Sequence, residues 1–282
     1  MHEKDKAPGS AAGTSAALAE KVASISWFHT FELPGGVVTP GLFDQRSVAA
    51  KLPWPSLEGK RCLDVASADG FFAYEMKRRG AAEVVSVDLA DTTKQDWQGS
   101  PRGAEHRSLS TNRAATAFAI AGEALGLEVT RRDMSIYDIS PDELGRFDFV
   151  FVGNILLHLA DPARALWAVH SVCQGTLLSF EEISLLMTAL RPRSPAGAMW
   201  HLDEPRWWTP NMAAHRRLVR AAGFEVERAG GPLFQRFGNG QPAWPSSLPK
   251  RGEHTFTSQV VYWLFTRRLG CPSSWVLAHP VE

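Results

Sequence analysis

The chain lacks a charge surplus: 30 Lys and Arg stand against 30 Asp and Glu over 282 residues. Proteins that grip nucleic acid by its phosphates usually carry a basic excess, so the balance argues against such a surface. The local basic spots at 78–80, 131–132 and 215–217 read as solvated helix faces or loops. Cysteine is scarce as well. Cys62, Cys173 and Cys271 lie far apart with no Cys-x-x-Cys spacing, which excludes a disulfide framework and fits a reducing, cytoplasmic setting. No run reaches the roughly 18 apolar residues that a membrane span needs. The first residues, "MHEKDKAPGSAAGTSAALAEK", hold no apolar stretch of the kind a secretory signal requires. Internal repeats are also missing. Finally, glycine is short in one particular place: "LDVASADGFF" (63–72) has the outline of a nucleoside-cofactor loop, yet Ala66 and Ala68 stand where glycine is expected and only Gly70 remains.

What is present reads as alternating strands and helices. Leu18, Val22 and Ile25 mark a short amphipathic helix from about Ser15 to Ile25. "FELPGGVVTPG" (31–41) is turn-rich and reads as loop. "RCLDVA" and "EVVSVDL" are short buried strands around the helix "FFAYEMKRRG". "TNRAATAFAIAGEALG" offers Thr111 or Asn112 as helix cap and Gly126 as stop, and "LEVTRRDM" follows as a third strand. "FDFVFVGNI" is apolar throughout, as a central parallel strand should be. "DPARALWAVHSVC" opens on Asp161 as cap and Pro162 at the first helical position. "GTLLSFEEI" gives a fifth strand, "TPNMAAHRRLVRAAG" a capped helix ended by Gly223, "FEVERAG" a strand, and "TSQVVYWLFTRR" the last strand. Strands alternating with helices predict a mainly parallel α/β sheet covered on both faces. Residues 1–15 are expected as a disordered tail, 16–58 as an N-terminal helical and loop cap, and 59–282 as the α/β domain.

Ligands of such sheets bind outside the carboxyl ends of the strands, which directs attention to Ala66–Gly70, Asp88, Asp133–Met134 and Gly153–His158. A pyrophosphate on the helix end demands the full Gly-x-Gly-x-x-Gly loop, and this loop does not supply it. A cofactor with an amino-acid tail asks less of the glycines. Asp88 closes the second strand about 20 residues after the loop, where a carboxylate accepts from ribose hydroxyls. Asp133 ends the third strand and is placed to accept from an adenine amino group, with Met134 beside it as apolar cover. Together these point to adenosine with a phosphate-free tail, S-adenosylmethionine.

"LDVASADGFFAYEMKRRGAAEVVSVD" resembles the first two motifs of class I S-adenosylmethionine-dependent methyltransferases. More narrowly, with "WFHTFELPGGVVTPG" (27–41) and "GNILLHLADPARALW" (153–167), it is similar to the group related to tRNA wobble-uridine (mo5U34) methyltransferases. The likeness runs from about Trp27 to Gly230. It implies a Rossmann-like, mainly parallel seven-stranded sheet, with Ala66, Ser67 and Gly70 facing the methionine part of the cofactor, Asp88 the ribose, and Asp133 with Met134 the adenine. Asp64, Leu89 and Asn154 complete the expected cofactor contacts. It also implies a substrate lid in the insertion near 184–209. Two features depart from the wobble-uridine pattern. Leu157 stands where those enzymes carry a tyrosine, and "GLFDQRSVAAKL" has no clear counterpart of their basic residues.

Methyl transfer from a sulfonium asks chiefly for positioning, and a hydroxyl acceptor gains from a nearby base. His158, His29 and His201 are the candidate catalytic residues, and Trp27, Trp200 and Trp207 the candidate acceptor-facing ones, from a chain with ten Trp and three Tyr. No metal is expected, since "HLDE" (201–204) matches no strong ligand spacing. The expected acceptor is a small molecule, with a hydroxyl of a secondary metabolite or glycoside as the leading form. The alternative is tRNA wobble-uridine modification by methyl or carboxymethyl transfer. A third reading, a non-catalytic protein with a degenerate cofactor fold, is motivated by the two alanines. The sequence leaves the oligomeric state open.

Overall fold

Phe149 and Phe151 enter one apolar cluster, while Val150 and Val152 enter a second on the opposite face. That is the two-residue period of a strand, and apolar residues on both sides place it inside a sheet covered twice. The computed structural model describes residues 9–97, 114–199, 206–240 and 269–281.

In chain order the described elements are helix α1 (Gly9–Ala23), strand β1 (Trp27–His29), the small hairpin of β2 (Glu32–Leu33) and β3 (Val37–Val38), β4 (Gly41–Asp44) and the short α2 (Arg46–Ala49). Then come β5 (Arg61–Val65), α3 (Phe71–Arg78), β6 (Glu83–Asp88), α4 (Ala114–Leu125), β7 (Thr130–Asp133), α5 (Pro141–Leu144), β8 (Phe147–Gly153) and α6 (Pro162–Val172). The remainder is β9 (Cys173–Glu182), α7 (Leu185–Leu190), β10 (Gly197–Met199), β11 (Trp208–Pro210), α8 (Met212–Ala221), β12 (Phe224–Phe237) and β13 (Cys271–Pro280).

Among the described residues the main sheet has nine strands in the order β1-β4-β12-β13-β9-β8-β5-β6-β7. From β9 to β7 every pairing is parallel, and β13 runs antiparallel between β9 and β12. The seven strands from β12 to β7 match the expected count. The other two are β1 and β4: β4 pairs antiparallel with β12 and carries β1 along its outer edge. The chain advances from β5 outward to β7, then returns to β8 on the other side of β5, so the strand order reverses between β5 and β8. Ligands bind at that switch point.

One face of the sheet is covered by α3, α4 and the N-terminal segment, with Trp27, Phe31, Phe72 and Tyr74 packed on Phe149 and Phe151. The other is covered by α6 and α8 through Leu166, Val169 and Val219. Burying each such side chain contributes about 1.5–3 kcal/mol. Caps fall where the sequence places them. Asp161 accepts from the Arg164 amide at 3.0 Å with Pro162 behind it, and Asn211 accepts from the Ala214 amide at 2.8 Å.

Other expectations are revised. The segment 31–41, read as loop, contains the β2–β3 hairpin, turning through Gly35 and Gly36 at φ 74° and 76°. Helix α1 starts at Gly9, inside the stretch expected as a tail, and residues 1–8 lie outside the described residues. The caps Thr111 and Asn112 and the strand expected at 257–268 lie outside them too; the last strand described is β13. The insertion after β9 folds as α7 and the β10–β11 hairpin. Among the described residues, no helix is long and apolar enough to cross a membrane.

Candidate functional site

The loop after β5 answers its shortage of glycine by making alanine behave like it. Ala66 and Ala68 take φ of 60° and 48°, and Gly70 takes 85°. The left-handed region costs an L-residue about 1–2 kcal/mol. Gly70 has a second reason to be glycine, because a Cβ there would lie 2.6 Å from the Phe118 ring. Three amides of the loop are taken by the protein itself: Ala66 donates to the Val87 carbonyl at 2.8 Å, Ala68 to Asp88 Oδ2 at 2.7 Å, and Gly70 to the Ser67 carbonyl at 2.7 Å. Ala66→Gly would remove the strain at the cost of about 0.5–1 kcal/mol of chain entropy, so a gain of up to about 1 kcal/mol is expected. Urea unfolding midpoints would measure it, and a lowered midpoint would contradict this account of the loop.

Around this loop lies a cavity of about 310 Å³ at the carboxyl ends of β5, β6, β7 and β8. Ala66, Asp88, Leu89, Met134, Tyr137 and His158 contribute to its wall. The fold thus brings together five of the residues singled out from the sequence. Asp88 is held by three neighbours. Besides the Ala68 amide, its Oδ1 accepts from the Leu89 amide at 2.8 Å, and Arg131 Nη2 lies 3.5 Å from Oδ2. Burial pushes its carboxyl upward, and the Arg131 charge is the largest opposing effect.

The other residues singled out sit elsewhere. Asp64 is buried under the loop, its carboxyl bonded to the Ala73 amide in the first turn of α3, and burial pushes it well above the usual carboxylate range. Its Oδ2 has no hydrogen-bond partner. Ser67 accepts from Ser86 Oγ at 2.5 Å. Asp133 is exposed and accepts from the Ala90 amide at 2.6 Å, tying down the loop after β6. Asn154 points toward β12, where it exchanges amide hydrogen bonds with Gln235 at 2.8 and 2.9 Å. His29 is buried, with its Nδ1 on the Asp69 carboxyl. Trp27, expected to face the acceptor, packs in the core and donates its indole N–H to the Val22 carbonyl at 2.9 Å. Trp207 reaches the cavity's rim, donating to the Asp96 carbonyl at 2.8 Å. His201, Trp200 and the 201–204 cluster lie outside the described residues.

Several groups at the site escaped the sequence reading. Asp69, fully buried, accepts from the amides of Phe28 and His29, both at 2.8 Å, and so docks β1 onto the loop. Arg131, read as a solvated spot, lies behind the loop: Nη1 donates to the Ala68 carbonyl at 2.7 Å and to Ser67 Oγ at 3.2 Å. Strand alternation was the available signal, since Arg132 next to it is exposed. Tyr137 and the Ala160 amide both donate to Asp96 Oδ2, at 2.5 and 2.7 Å, closing the rim between the loops after β6 and β8. Glu181, buried at the end of β9, accepts from the amides of Ile155 and Leu156 at 3.4 and 3.2 Å and holds the loop that carries His158. Burial pushes its carboxyl well upward. Gln235 also donates to Ser273 Oγ at 2.5 Å and accepts from Gln45, linking the ends of four elements in one buried polar cluster.

No family model matches the chain. It is 31% identical over 112 residues to the ubiquinone biosynthesis O-methyltransferase of Alkalilimnicola ehrlichii, covering 40% of this chain and 36% of that one. It is 28% identical over 180 residues to the tRNA U34 carboxymethyltransferase of Pseudomonas aeruginosa, covering 62% and 48%. The chain therefore spans less than half the length of these curated relatives. Among solved structures, the 1,6-didemethyltoxoflavin-N1-methyltransferase of Burkholderia thailandensis, with bound 1,6-didemethyltoxoflavin and S-adenosylhomocysteine, aligns with a TM-score of 0.51 at 12% identity, covering 100% of this chain and 94% of that one. The [4+2]-cyclase SpnF aligns with a TM-score of 0.54 at 15% identity, covering 97% and 96%.

Proposed function

We propose that this chain, a class I S-adenosylmethionine-dependent methyltransferase by fold, is an enzyme that binds S-adenosylmethionine in the cavity between the loops after β5, β6, β7 and β8 and methylates a small molecule. The observation that carries the reading is the state of the loop amides. Ala66, Ala68 and Gly70 all spend their N–H groups on protein oxygens, which leaves none of the three for a pyrophosphate. A cofactor whose tail is an amino acid carries no pyrophosphate and asks less of those amides.

When bound, S-adenosylmethionine supplies a methyl group on a sulfonium, open to displacement by an acceptor lone pair. The chain's own residues do the rest. Asp88 closes the ribose end of the cavity with its carboxyl, Met134 and Tyr137 give apolar and aromatic walls, and the loop after β5 fixes the floor. Orientation of this kind accounts for up to about 7–11 kcal/mol of a barrier. His158 faces the cavity from the loop after β8 and is the group best placed to take a proton from a hydroxyl acceptor, an effect of typically about 10²–10⁴-fold. A hydroxyl of a secondary metabolite or glycoside is the acceptor proposed.

The second reading, transfer to tRNA, is favoured by the 28% identity over 180 residues with the U34 carboxymethyltransferase. Against it stands Leu157, a buried apolar residue in place of the tyrosine. Calorimetry with S-adenosylmethionine, S-adenosylhomocysteine and carboxy-S-adenosylmethionine separates the two. The first pair is expected to bind, with Asp88→Ala weakening both by about 100-fold, the loss of charged hydrogen bonds to a diol. Preference for the carboxylated cofactor would put tRNA first, and no binding of any of the three would refute the proposal.

A further inference from the structure

A loop that needs left-handed backbone at residue 68 but carries alanine there must be held by something outside itself. Ala68 is held at both of its peptide groups. Its N–H is given to Asp88 Oδ2 at 2.7 Å, and its carbonyl receives Arg131 Nη1 at 2.7 Å. These two bonds flank the φ and ψ of one residue, so they fix both. The two clamps are themselves joined, since Arg131 Nη2 lies 3.5 Å from the same Asp88 oxygen. The guanidinium is seated on the Phe118 ring, 5.1 Å from its centroid, and reaches Ser67 Oγ at 3.2 Å. Its planar fork is what allows one side chain to serve a carbonyl, a hydroxyl and a carboxylate together.

We propose that Arg131 is a positioning residue that does the work of the missing glycine: it holds Ala68 in its left-handed conformation, and so shapes the cofactor floor without touching the cofactor. This rests on the cofactor reading given above. The reasoning is specific to residue 68. A charge-assisted hydrogen bond is stronger than a neutral one, and it is needed here because the alanine is strained. With glycine at that position the strain vanishes and the clamp loses its purpose.

The test is a double-mutant cycle on the full chain, with wild type, Arg131→Met, Ala68→Gly and the combination, each titrated with S-adenosylhomocysteine. Arg131→Met is expected to weaken binding about tenfold or more, the loss of a charge-assisted hydrogen bond. In the Ala68→Gly background the same change is expected to cost under about threefold. Equal losses in the two backgrounds would overturn the proposal, because a residue that merely packs or attracts charge has no reason to depend on the Cβ of residue 68. The urea midpoints of the same four proteins carry the cycle a second time. If wild type binds no S-adenosylhomocysteine, the cofactor reading fails, and the coupling in the midpoints still decides the role of Arg131. Should Arg131→Met not fold, Arg131→Lys, which keeps a cation but not the fork, enters the same cycle under the same criterion.

Discussion

Replacing Asp69 with alanine is expected to cost about 3–5 kcal/mol, the range for removing one member of a buried polar pair. Its carboxyl is fully buried and accepts three bonds from two successive residues: the Phe28 amide, the His29 amide and His29 Nδ1. Without it, three donors would be left in a dry site, at about 1–3 kcal/mol each if the segment stayed in place. Release of β1 is the cheaper outcome. The effect is then local first: the His29 ring leaves Phe71 and Phe72, and Trp27 leaves its packing against Phe31. The indole of Trp27 is buried, so its exposure should move the fluorescence before the urea transition of the main sheet. Limited proteolysis should cut near 45–60 in the variant under conditions where wild type resists. Asp69→Asn, which keeps one acceptor oxygen, should fall between the two. A single unfolding transition within about 1 kcal/mol of wild type, a size ordinary for any substitution, would mean that Asp69 does not hold the segment.

The second large effect concerns acid. His215 on α8 is fully buried between two serines of adjacent strands, with Nε2 2.9 Å from Ser179 Oγ and Nδ1 2.8 Å from Ser274 Oγ. Burial first, and the charge of Arg216 second, hold its pKa down to about 3. The unfolded chain takes up that proton near 6.5, the folded protein only near 3. Between these values the unfolded state binds more protons, so this residue makes stability fall as pH falls, with a slope approaching about 1.4 kcal/mol per pH unit. Asp64 and Glu181 act in the opposite sense, because their raised carboxyls favour the folded state as pH drops toward the ordinary carboxylate range. The net curve is therefore less telling than a difference. His215→Gln keeps polar atoms for both serines but cannot take the proton. Its stability relative to wild type should rise steadily from pH 6.5 toward 4.5, whatever its deficit at pH 7.5. A difference that stays flat over that window would show that His215 does not carry the acid limb.

The parts of the fold that were legible are those where local chemistry and tertiary role agree. "FDFVFVG" reads as a central strand because both of its faces are apolar, and Asp161–Pro162 reads as a helix start because capping is a matter of a few consecutive residues. The place of Asp88 beside the loop could be found because a carboxylate at a strand end has a recognisable distance from the loop. What escaped depends on partners far along the chain. β13 carries Ser273, Ser274 and two prolines, a poor strand by composition; it stands mid-sheet because Gln235 and His215 satisfy those serines. β1 and β4 have three and four residues, too few to show a period. Asp69 sits in an Asp-Gly pair that reads as a turn, and nothing within the sequence around it announces that residues 28 and 29 will need its oxygens. Arg131 and Arg132 look alike in the sequence; only the side of the strand separates a clamp from a solvated charge.

The seam between β4 and β12 joins Asp44 to Arg236 and Phe43 to Phe237. These partners are nearly two hundred residues apart in the order of synthesis, whereas the Asp69 contact to Phe28 and His29 needs only the first seventy. The N-terminal segment thus meets its anchor early and its sheet neighbour late. Contacts of such long sequence separation close slowly because loop closure comes before any reward from pairing. During translation, then, the segment has Asp69 available to hold it well before β12 has left the ribosome, and the border between β4 and β12 is sewn late.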